Sequence, residues 1–416
     1  MVVGKDTGGN GYAMDEGAGK APLSGIRVLE LSNFYAGPFC GCLLADFGAD
    51  VIKAEQPGLG DSWRGTGVGP ETSMPFMQDN RNKRSITLNL SHPKGQALAR
   101  RLASMSDVVI ENFRGGGLEA WGLGYADLAA TNPGLVMVRI SGFGQSGLYK
   151  DRAAFGTVLE AMSGYVRANG DQDGRPRILI PSGVGDLLTG TFAAYGVMLA
   201  LRQREFSGKG QEIDAAICDA LFRWIHTLPA DYALKNEDPP GKGNALWAKA
   251  PTQGFFQCAD GKWLFIRSNR TDAGVTKLYN AMDRPELWAD PRYGTDAGRR
   301  AHAPELRVII EEWVASMPRE AVMNRLDDAG VPCGPVYSMA DVFADPHFHA
   351  RCVFPEVFRE GVGMVPTPAP APRLVSTPGK VTHLGPELGE HNDEVYRGLL
   401  KLSDEEFTEL RNEKVI

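Results

Sequence analysis

Residues 178–202 read ILIPSGVGDLLTGTFAAYGVMLALR, and the interpretation of the rest of the chain starts from this stretch. An apolar run breaks at Pro181, a turn with glycine at positions 183 and 185 follows, and residues 187–201 carry no charge. That uncharged core is shorter than the about 20 apolar residues that a membrane-spanning helix needs. The stretch therefore predicts a buried helix with one carboxylate, Asp186, at its start.

The role of Asp186 is open to two interpretations from this stretch alone. An aspartate before an apolar run is typical of a helix N-cap, where its side chain accepts hydrogen bonds from the first turn. Alternatively, the flanking glycines let a ligand approach the backbone closely, and the positive end of the helix keeps the acid ionised. A carboxylate held in this way could attack an acyl group.

The composition is that of a globular protein of 416 residues with a net charge of −7. This charge argues against a general binder of nucleic acid or anionic membranes, but a local basic cluster could still hold a polyanionic small ligand. Residues 1–21 contain scarcely any apolar run and predict a flexible tail without a signal-peptide core. The spacing of the six cysteines matches no zinc or haem pattern, so we expect reduced thiols, a cytoplasmic location and no metal site.

Strands and helices alternate from residue 25 onward. Helices are expected at 37–49 and 91–105, and strands at 26–31, 50–55, 85–90, 107–113, 135–141 and 211–216. Such βαβ units predict an open, mostly parallel α/β sheet, with ligands beyond the carboxyl ends of the strands. The G-x-G-x-x-G match at 142–147 lacks the helix that a dinucleotide site requires, so we expect a glycine-rich loop there.

The chain is expected to divide into a large domain at 22–205, linker helices at 206–236, a small α+β domain at 237–330 and a return segment at 331–416. In the small domain, Asp260-Gly261 between two alternating runs is typical of a β-hairpin, and helical patterns follow. A capping box of Ser403 and Glu406 predicts the last helix.

Nine short motifs occur in order along the chain. They are LSGIRVLE at 23–30, AGP at 36–38, GADVIK at 48–53, NKRS at 82–85, ENF at 111–113, GD at 185–186, GKGQ at 208–211, CGPV at 333–336 and GEH at 389–391. With these motifs at compatible spacing, the chain resembles the family III CoA-transferases. That family includes formyl-CoA:oxalate and carnitine CoA-transferases, and it also contains acyl-CoA racemases.

The resemblance implies a fold and a reaction. The fold is a Rossmann-like large domain built from both chain ends plus a small domain, with two ring-like monomers interlocked as a homodimer. Asp186 takes the position of the family's nucleophile, which favours catalysis over capping. The implied reaction transfers CoA from an acyl-CoA thioester to an acceptor carboxylic acid through an aspartyl anhydride and an aspartyl-CoA thioester. Coenzyme A thioester is then a substrate, no cofactor is bound permanently, and N–H groups around Gly185 would stabilise the oxyanions.

The resemblance and the predicted strand ends together indicate which residues hold CoA. Its phosphates require cations and free N–H groups, and apolar side chains can flank its adenine. The predicted CoA-binding residues are Phe34, Lys53, Arg64, Arg84, Leu88, Asn112, Phe113, Arg114 and Trp121. Each cation can equally be a solvated surface charge, and Phe34 and Trp121 can equally be core residues.

Three positions depart from the family pattern. Tyr35 stands where formyl-CoA transferase has glutamine, so we expect it to position the acyl group of a different substrate. Phe155 lies in the expected acyl pocket and replaces the histidine base of the racemases. This removes one of the two groups needed to exchange the proton at the α-carbon. Ala120 replaces an arginine near CoA. The alternatives are a racemase or epimerase of the same fold, and a non-catalytic CoA-binding protein in which Asp186 only caps its helix.

Overall fold

The computed structural model describes residues 20–65, 73–170, 175–178, 183–236, 250–268 and 271–416. Most of the tail predicted at 1–21, and Pro181, lie outside these residues. The larger unit contains six parallel strands: β1 (Arg27–Glu30), β2 (Asp50–Glu55), β3 (Arg84–Thr87), β4 (Val108–Glu111), β5 (Val136–Ser141) and β6 (Glu212–Ala216). All six strands that the sequence predicts are present, and the parallel α/β sheet is confirmed.

The strands follow the order β3-β2-β1-β4-β5-β6, so the direction of chain progression reverses between β1 and β4. In open α/β sheets such a reversal leaves a crevice beyond the carboxyl ends of the two strands, where ligands bind. The side chain of Asn112, just after β4, joins the two loops at this point. It accepts a hydrogen bond from the Asn33 N–H at 2.9 Å and donates one to the Asn33 carbonyl at 2.6 Å.

Helices cover both faces of the sheet. Those that begin in the larger unit are α1 (Ala36–Ala45), α2 (Met74–Asp79), α3 (Pro93–Ser104), α4 (Tyr125–Thr131), α5 (Gly156–Met162), α6 (Tyr165–Ala168), α7 (Val184–Ser207), α8 (Ile217–Trp224) and α9 (Leu228–Lys235). One core packs α1 and α7 against one face of the strands, and a second packs α3 and α4 against the other. The glycine-rich residues 142–147 form a loop after β5, because the next helix, α5, begins only at Gly156.

The helix α7 spans 24 residues and extends beyond the uncharged stretch at both ends. Among the described helices it is the one long and apolar enough to cross a bilayer by length and composition. However, Ala193, Val197 and Ala200 on one side pack into the core against the sheet, as expected of a core helix in a doubly wound fold. Tyr195 and Leu199 on another side are exposed, by 61% and 52%.

The end of the chain completes the second face of the sheet. A π-helix at Asp393–Leu399 and α16 (Asp404–Asn412), which begins at the predicted capping box, place Tyr396, Phe407 and Ile416 in the core that contains Leu29. The Tyr396 hydroxyl donates to the carbonyl of Thr87 at the end of β3, at 2.7 Å. The larger unit is therefore packed from both ends of the chain.

The second unit comprises the described parts of residues 167–177 and 235–346. Its antiparallel sheet has the order β7-β8-β9, with β7 (Gln253–Gln257), β8 (Trp263–Arg267) and β9 (Cys333–Pro335). The hairpin predicted around Asp260-Gly261 joins β7 and β8 and is confirmed. The helices after it are α10 (Asp272–Ala281), α11 (Asp296–Ala301), α12 (Ala303–Ala315), α13 (Arg319–Asp328) and α14 (Met339–Ala344).

The boundaries of the units differ from the predicted ones. The small unit continues past residue 330 to 346, because β9 adds a third strand beside β8 before the chain returns to the larger unit at residue 347. The segment at 206–236 is not only a helical linker, since β6 pairs with β5 as the edge strand of the large sheet. The return segment begins with α15 (Pro346–Ala350) and contains the antiparallel pair β10 (Glu356–Arg359) and β11 (Gly363–Pro366).

Replacing Phe407 by alanine tests whether the C-terminal segment belongs to the core. The ring is 2% exposed, so we expect the free energy of unfolding to fall by about 3 kcal/mol or more. Denaturant unfolding of both variants measures this, with Glu405→Ala, exposed on the same helix, as a control that should change stability little. Equal, small losses in the two variants would contradict this placement.

Candidate active site

The helix α7 begins with a turn that requires glycine. Gly183 has a φ of 96°, in the region that side chains disfavour, and it occupies the N-cap position without a side-chain cap. Asp186 lies three residues further on, inside the first helical turn. It is therefore not the N-cap, and the capping interpretation is wrong in that form. A carboxylate in the first turn still interacts favourably with the positive end of the helix.

The carboxylate of Asp186 lies against the backbone of α5 and beside the ring of Tyr35. A Cβ added to Gly156 would lie 1.8 Å from the Oδ2 atom of Asp186. A Cβ added to Gly183 would lie 3.5 Å from the Tyr35 ring and 3.7 Å from the same Oδ2. The structure therefore brings Asp186 and Tyr35 together where α7 meets the loop after β1, and glycine at 156 gives the carboxylate its room.

The environment of Asp186 disfavours its charged form. Burial and then the nearby charge of Glu160 raise the pKa of Asp186 to about 7. The sequence predicted an acid kept ionised by the helix end, but here the loss of solvent outweighs the helix dipole. Burial, followed by the charges of Asp79 and Asp186, also raises the pKa of Tyr35. The Tyr35 phenol therefore stays protonated at neutral pH and can donate a hydrogen bond.

Glu160, which is not among the predicted site residues, is a buried carboxylate next to this turn. One of its oxygens accepts a hydrogen bond from the N–H of Gly185 at 3.1 Å. The Gly185 N–H was expected to stabilise an oxyanion, but in the structure Glu160 already occupies it. A signal was present in the sequence, because Glu160 is the single charge in GTVLEAM at 156–162 and follows Gly156 by one helical turn.

Four aromatic rings lie together beside this turn: Phe34, Tyr35, Trp63 and Phe155. The rings of Phe34 and Trp63 stack with centroids 4.4 Å apart and planes within 4°. Tyr35 meets Trp63 edge-on at 5.1 Å, and Phe155 meets Phe34 at 6.0 Å. Phe155 is 69% exposed. Three predicted site residues, Phe34, Tyr35 and Phe155, are thus neighbours. Trp63 is a fourth member of the cluster that was not predicted, because the glycine-rich sequence around it shows no periodic pattern.

The ammonium group of Lys53 does not face a ligand. The side chain is fully buried, and its Nζ contacts Glu30 at 3.0 Å, Asp61 at 2.8 Å and the Ser32 carbonyl at 2.8 Å. Asp61 in turn accepts a hydrogen bond from the N–H of Phe34 at 3.0 Å. Instead of binding a CoA phosphate, as the sequence predicted, Lys53 is placed to fix the β1–α1 loop, in which Phe34 has a φ of 73°.

Two predicted arginines are also engaged within the protein. Arg64 forms two hydrogen bonds with Glu55, at 2.6 and 2.8 Å, and its guanidinium lies over the Phe76 ring. Arg84 pairs with Asp50 at 2.6 Å. Because β2 begins at Asp50 and β3 at Arg84, this pair lies at the amino edge of the sheet, away from the crevice. The predicted CoA contact of Arg84 therefore conflicts with its position.

The remaining predicted CoA-binding residues follow the carboxyl ends of β3 and β4. Leu88 is 2% exposed in the core. Phe113 and Trp121 are partly buried and meet edge-on at 5.6 Å. Arg114 is exposed, and no side-chain partner for it is found within the described part of the chain. Together with Asn112, which joins the two loops, Arg114 is the predicted cation that remains available to a ligand at this edge.

Within the described ranges, no group of three or more histidine, cysteine, aspartate or glutamate side chains could hold a metal ion.

Replacing Lys53 by methionine distinguishes a structural role from phosphate binding. The change removes the positive charge that neutralises the buried carboxylates of Glu30 and Asp61. We therefore expect the free energy of unfolding to fall by about 3 kcal/mol or more. The matched control is Lys94→Met, because Lys94 also contacts two carboxylates but lies on the surface. Denaturant unfolding measures both, and the Lys94 variant should lose little. Equal stability of the two variants would show that the buried network contributes nothing.

The chain has clear relatives among known proteins. The family model described as CoA-transferase family III matches residues 23–392. Succinyl-CoA–D-citramalate CoA-transferase of Chloroflexus aurantiacus is 43% identical, over 95% of this chain and 98% of its own length. The beta subunit of succinyl-CoA–L-malate CoA-transferase of the same organism is 40% identical, over 97% of this chain and 100% of its own length.

A solved structure shares the fold. The crystal structure of a CAIB/BAIF family protein from Brucella suis has a TM-score of 0.80 and 35% sequence identity, and the match covers 92% of this chain and 100% of that one. The parallel sheet, the extent of the family match and the identity with these relatives agree. The chain therefore belongs to CoA-transferase family III and is a CoA-transferase.

Proposed function

We propose that this enzyme transfers CoA from succinyl-CoA to a dicarboxylic acid, with Asp186 as the covalent nucleophile. Activity between an acyl-CoA and a carboxylic acid follows from its relatives. The observation that supports Asp186 is its position. Its carboxylate lies beside Tyr35, in the loop after β1, next to the crevice where the strand order reverses. An acyl group bound in that crevice would lie close to the Asp186 carboxylate.

The reaction proceeds by two exchanges at Asp186. One carboxylate oxygen attacks the thioester carbonyl of the donor, the C–S bond breaks, and the bonding electrons leave with the CoA thiolate. The thiolate then attacks the carbonyl carbon of Asp186 in the resulting mixed anhydride, and the donor acid leaves as its carboxylate. An acceptor carboxylate next attacks the aspartyl-CoA thioester, and the released thiolate takes the acyl group from the new anhydride. Nucleophilic catalysis of this kind divides one difficult transfer into easier steps.

The edge after β4 is the proposed site for the nucleotide part of CoA. Arg114 is exposed there and can contact a phosphate, for which an arginine fork is well suited. Phe113 and Trp121 provide an aromatic surface next to it for the adenine. The loop that carries Asn112 also holds Asn33, so the nucleotide end and the Phe34–Tyr35 segment are connected by two hydrogen bonds.

The choice of acids rests on the relatives. The two relatives above are named for succinyl-CoA as donor and for D-citramalate or L-malate as acceptor. Both acceptors are dicarboxylic acids with a hydroxyl group on the carbon next to one carboxyl. We therefore propose a 2-hydroxydicarboxylic acid as the acceptor here. The protonated phenol of Tyr35 would donate a hydrogen bond to the bound acid.

A homodimer is part of the proposal, and the interlocked arrangement comes from the family resemblance. The helices α7, α8 and α9 leave large apolar side chains uncovered in the single chain. These are Phe192, Tyr195, Met198, Leu199, Phe206, Phe222, Trp224, Tyr232 and Leu234, each more than 40% exposed. Apolar area of this extent is typical of a protein interface.

Replacing Asp186 by asparagine tests the nucleophile. The amide cannot form the anhydride or the thioester, so we expect at least a 1000-fold loss of CoA transfer, of the order of a lost nucleophile. Intact-mass spectra of the wild type incubated with succinyl-CoA should show a CoA-sized addition on the peptide that carries Asp186, and the variant should show none.

The control for this variant is Asp219→Asn, an exposed aspartate on α8, which should transfer CoA at the wild-type rate. Undiminished transfer by the Asp186 variant would overturn the proposed mechanism. Deuterium incorporation at the α-carbon of an acyl-CoA, without CoA exchange, would instead identify a racemase.

Replacing Gly156 by alanine tests the placement of the carboxylate. The new Cβ would overlap Oδ2 of Asp186, so the side chain must move, and we expect kcat/KM to fall by about 100-fold, as for other misplaced reacting groups. Steady-state kinetics with succinyl-CoA measures the loss, and thermal unfolding checks that the variant is folded.

Gly398→Ala is the matched control, because a Cβ at Gly398 meets no atom within 4 Å. Its kinetics should equal those of the wild type. A Gly156 variant with wild-type kcat/KM would contradict the observed position of the carboxylate.

A further inference from the structure

The side chain of Glu160 is 0% exposed and lies next to the turn that carries Asp186. Its Oε1 accepts a hydrogen bond from the N–H of Gly185, and its Cγ is 3.6 Å from the position of a Cβ on Gly185. Its Oε2 is buried, and no hydrogen-bond partner for it is found among the described residues. A buried carboxylate oxygen without a partner is costly and is rare in folded proteins.

The surroundings of Glu160 are mostly apolar. It lies beside the small core that contains Leu159, Tyr165, Ile217 and Leu221. From α8, Ile217 and Leu221 approach Gly185, whereas the charged residues of that helix, Asp219 and Arg223, are exposed. The other packed helix, α1, has the sequence AGPFCGCLLA and carries no charged residue.

The charged side chains of the strands under α7 are engaged elsewhere, since Arg139 of β5 pairs with Glu111 and Asp214 of β6 accepts from the Gln145 N–H. On the other side, Asp79 at the end of α2 lies close enough to Tyr35 for its charge to raise the pKa of that phenol. Burial and then the charge of Glu160 raise the pKa values of both Asp186 and Tyr165 on α6, and burial followed by Asp79 and Asp186 raises that of Tyr35. Both phenols are neutral at physiological pH, so neither compensates a negative charge. Two carboxylates in such a site do not ionise independently, because the charge on one disfavours the charge on the other.

We propose that Glu160 is a positioning residue for the transfer reaction: it holds the turn through Gly185, and its charge favours the acylated forms of Asp186 over the free carboxylate. This inference rests on the proposed role of Asp186 as nucleophile. When Asp186 attacks the thioester, its negative charge leaves with the CoA thiolate and Asp186 becomes a neutral acyl group. The repulsion from Glu160 is then relieved, so the same charge that disfavours the free aspartate promotes its acylation.

A purely structural role for Glu160 predicts different behaviour. A glutamate that only ties α5 to α7 would affect stability, and it would leave the ionisation of Asp186 and the amount of adduct unchanged. The two roles are separated by Glu160→Gln, which keeps an oxygen acceptor for the Gly185 N–H and removes the charge, and by Glu160→Asp, which keeps the charge on a shorter side chain.

The experiment measures kcat/KM against pH and the fraction of covalent adduct at equilibrium with succinyl-CoA. The acid limb of kcat/KM reports the ionisation of the free enzyme. In the wild type it should lie near pH 7, because burial and Glu160 raise the pKa of Asp186 to about 7. In Glu160→Gln the limb should move down by about one pH unit, because the like charge that adds to burial in raising the pKa of Asp186 is removed. Above pH 8, where free Asp186 is ionised in both proteins, the ratio of adduct to free enzyme should fall about 10-fold.

Glu160→Asp should keep the limb near pH 7 while transfer slows, because the charge remains and the contact with Gly185 is lost. The control is Glu405→Gln, an exposed glutamate of α16, which should leave both readouts unchanged. An unmoved limb and an unchanged adduct fraction in Glu160→Gln would overturn the inference, even if the variant is less stable.

A wild-type acid limb near pH 4 would also overturn it, and this readout needs no variant to fold. Failure of the proposed function is a separate outcome. In that case the wild type itself shows neither CoA transfer nor an adduct on Asp186.

Discussion

The close approach of α7 to its neighbours is the constraint on which the site depends. A Cβ on Gly190 would lie 2.7 Å from the carbonyl of Ala36, one on Gly185 would lie 3.0 Å from Ile217, and one on Gly156 would meet the Asp186 carboxylate itself. Side chains at these positions would separate α7 from α1, α5 and α8, and would move Asp186 away from Tyr35. Asp186 is thus positioned by close packing at glycines 156, 185 and 190, where a side chain would hold the helices apart.

Buried charges are compensated by opposite charges on one side of the β1–α1 loop but not on the other. Lys53 is neutralised by Glu30 and Asp61, and its contacts fix the backbone of the loop. Asp186 and Glu160 have the same sign, and burial raises the pKa of Asp186. A compensated network stabilises structure only modestly, but removing one member is destabilising. An uncompensated pair costs stability, and such strain is retained at sites where it contributes to the reaction.

Much of the fold could be predicted from the sequence, and the site could be predicted in part. The six strands follow from short apolar or alternating runs between helical segments, and Asp186 follows from its glycine-flanked turn together with the family motifs. The partners of charged side chains could not be predicted, because they come from distant positions: Lys53 pairs with Glu30 across neighbouring strands. Arg84 was assigned to the crevice, yet β3 starts at that residue, which puts it at the opposite edge. The role of Glu160 could not be predicted, because periodicity indicates that a position is buried without showing what its side chain contacts.

Burial of the site has two opposing consequences in the proposed reaction. It raises the pKa of the nucleophile, and at neutral pH a carboxyl group with a pKa of about 7 is about half ionised, a loss of about twofold in the reactive form. It also keeps water away from a mixed anhydride, which water would otherwise hydrolyse with loss of the thioester energy. The stacked rings of Phe34 and Trp63, with Phe155 beside them, add an apolar surface next to this site. Since the first effect is about twofold and hydrolysis would end the transfer altogether, exclusion of water dominates, and a partly protonated nucleophile is the expected consequence.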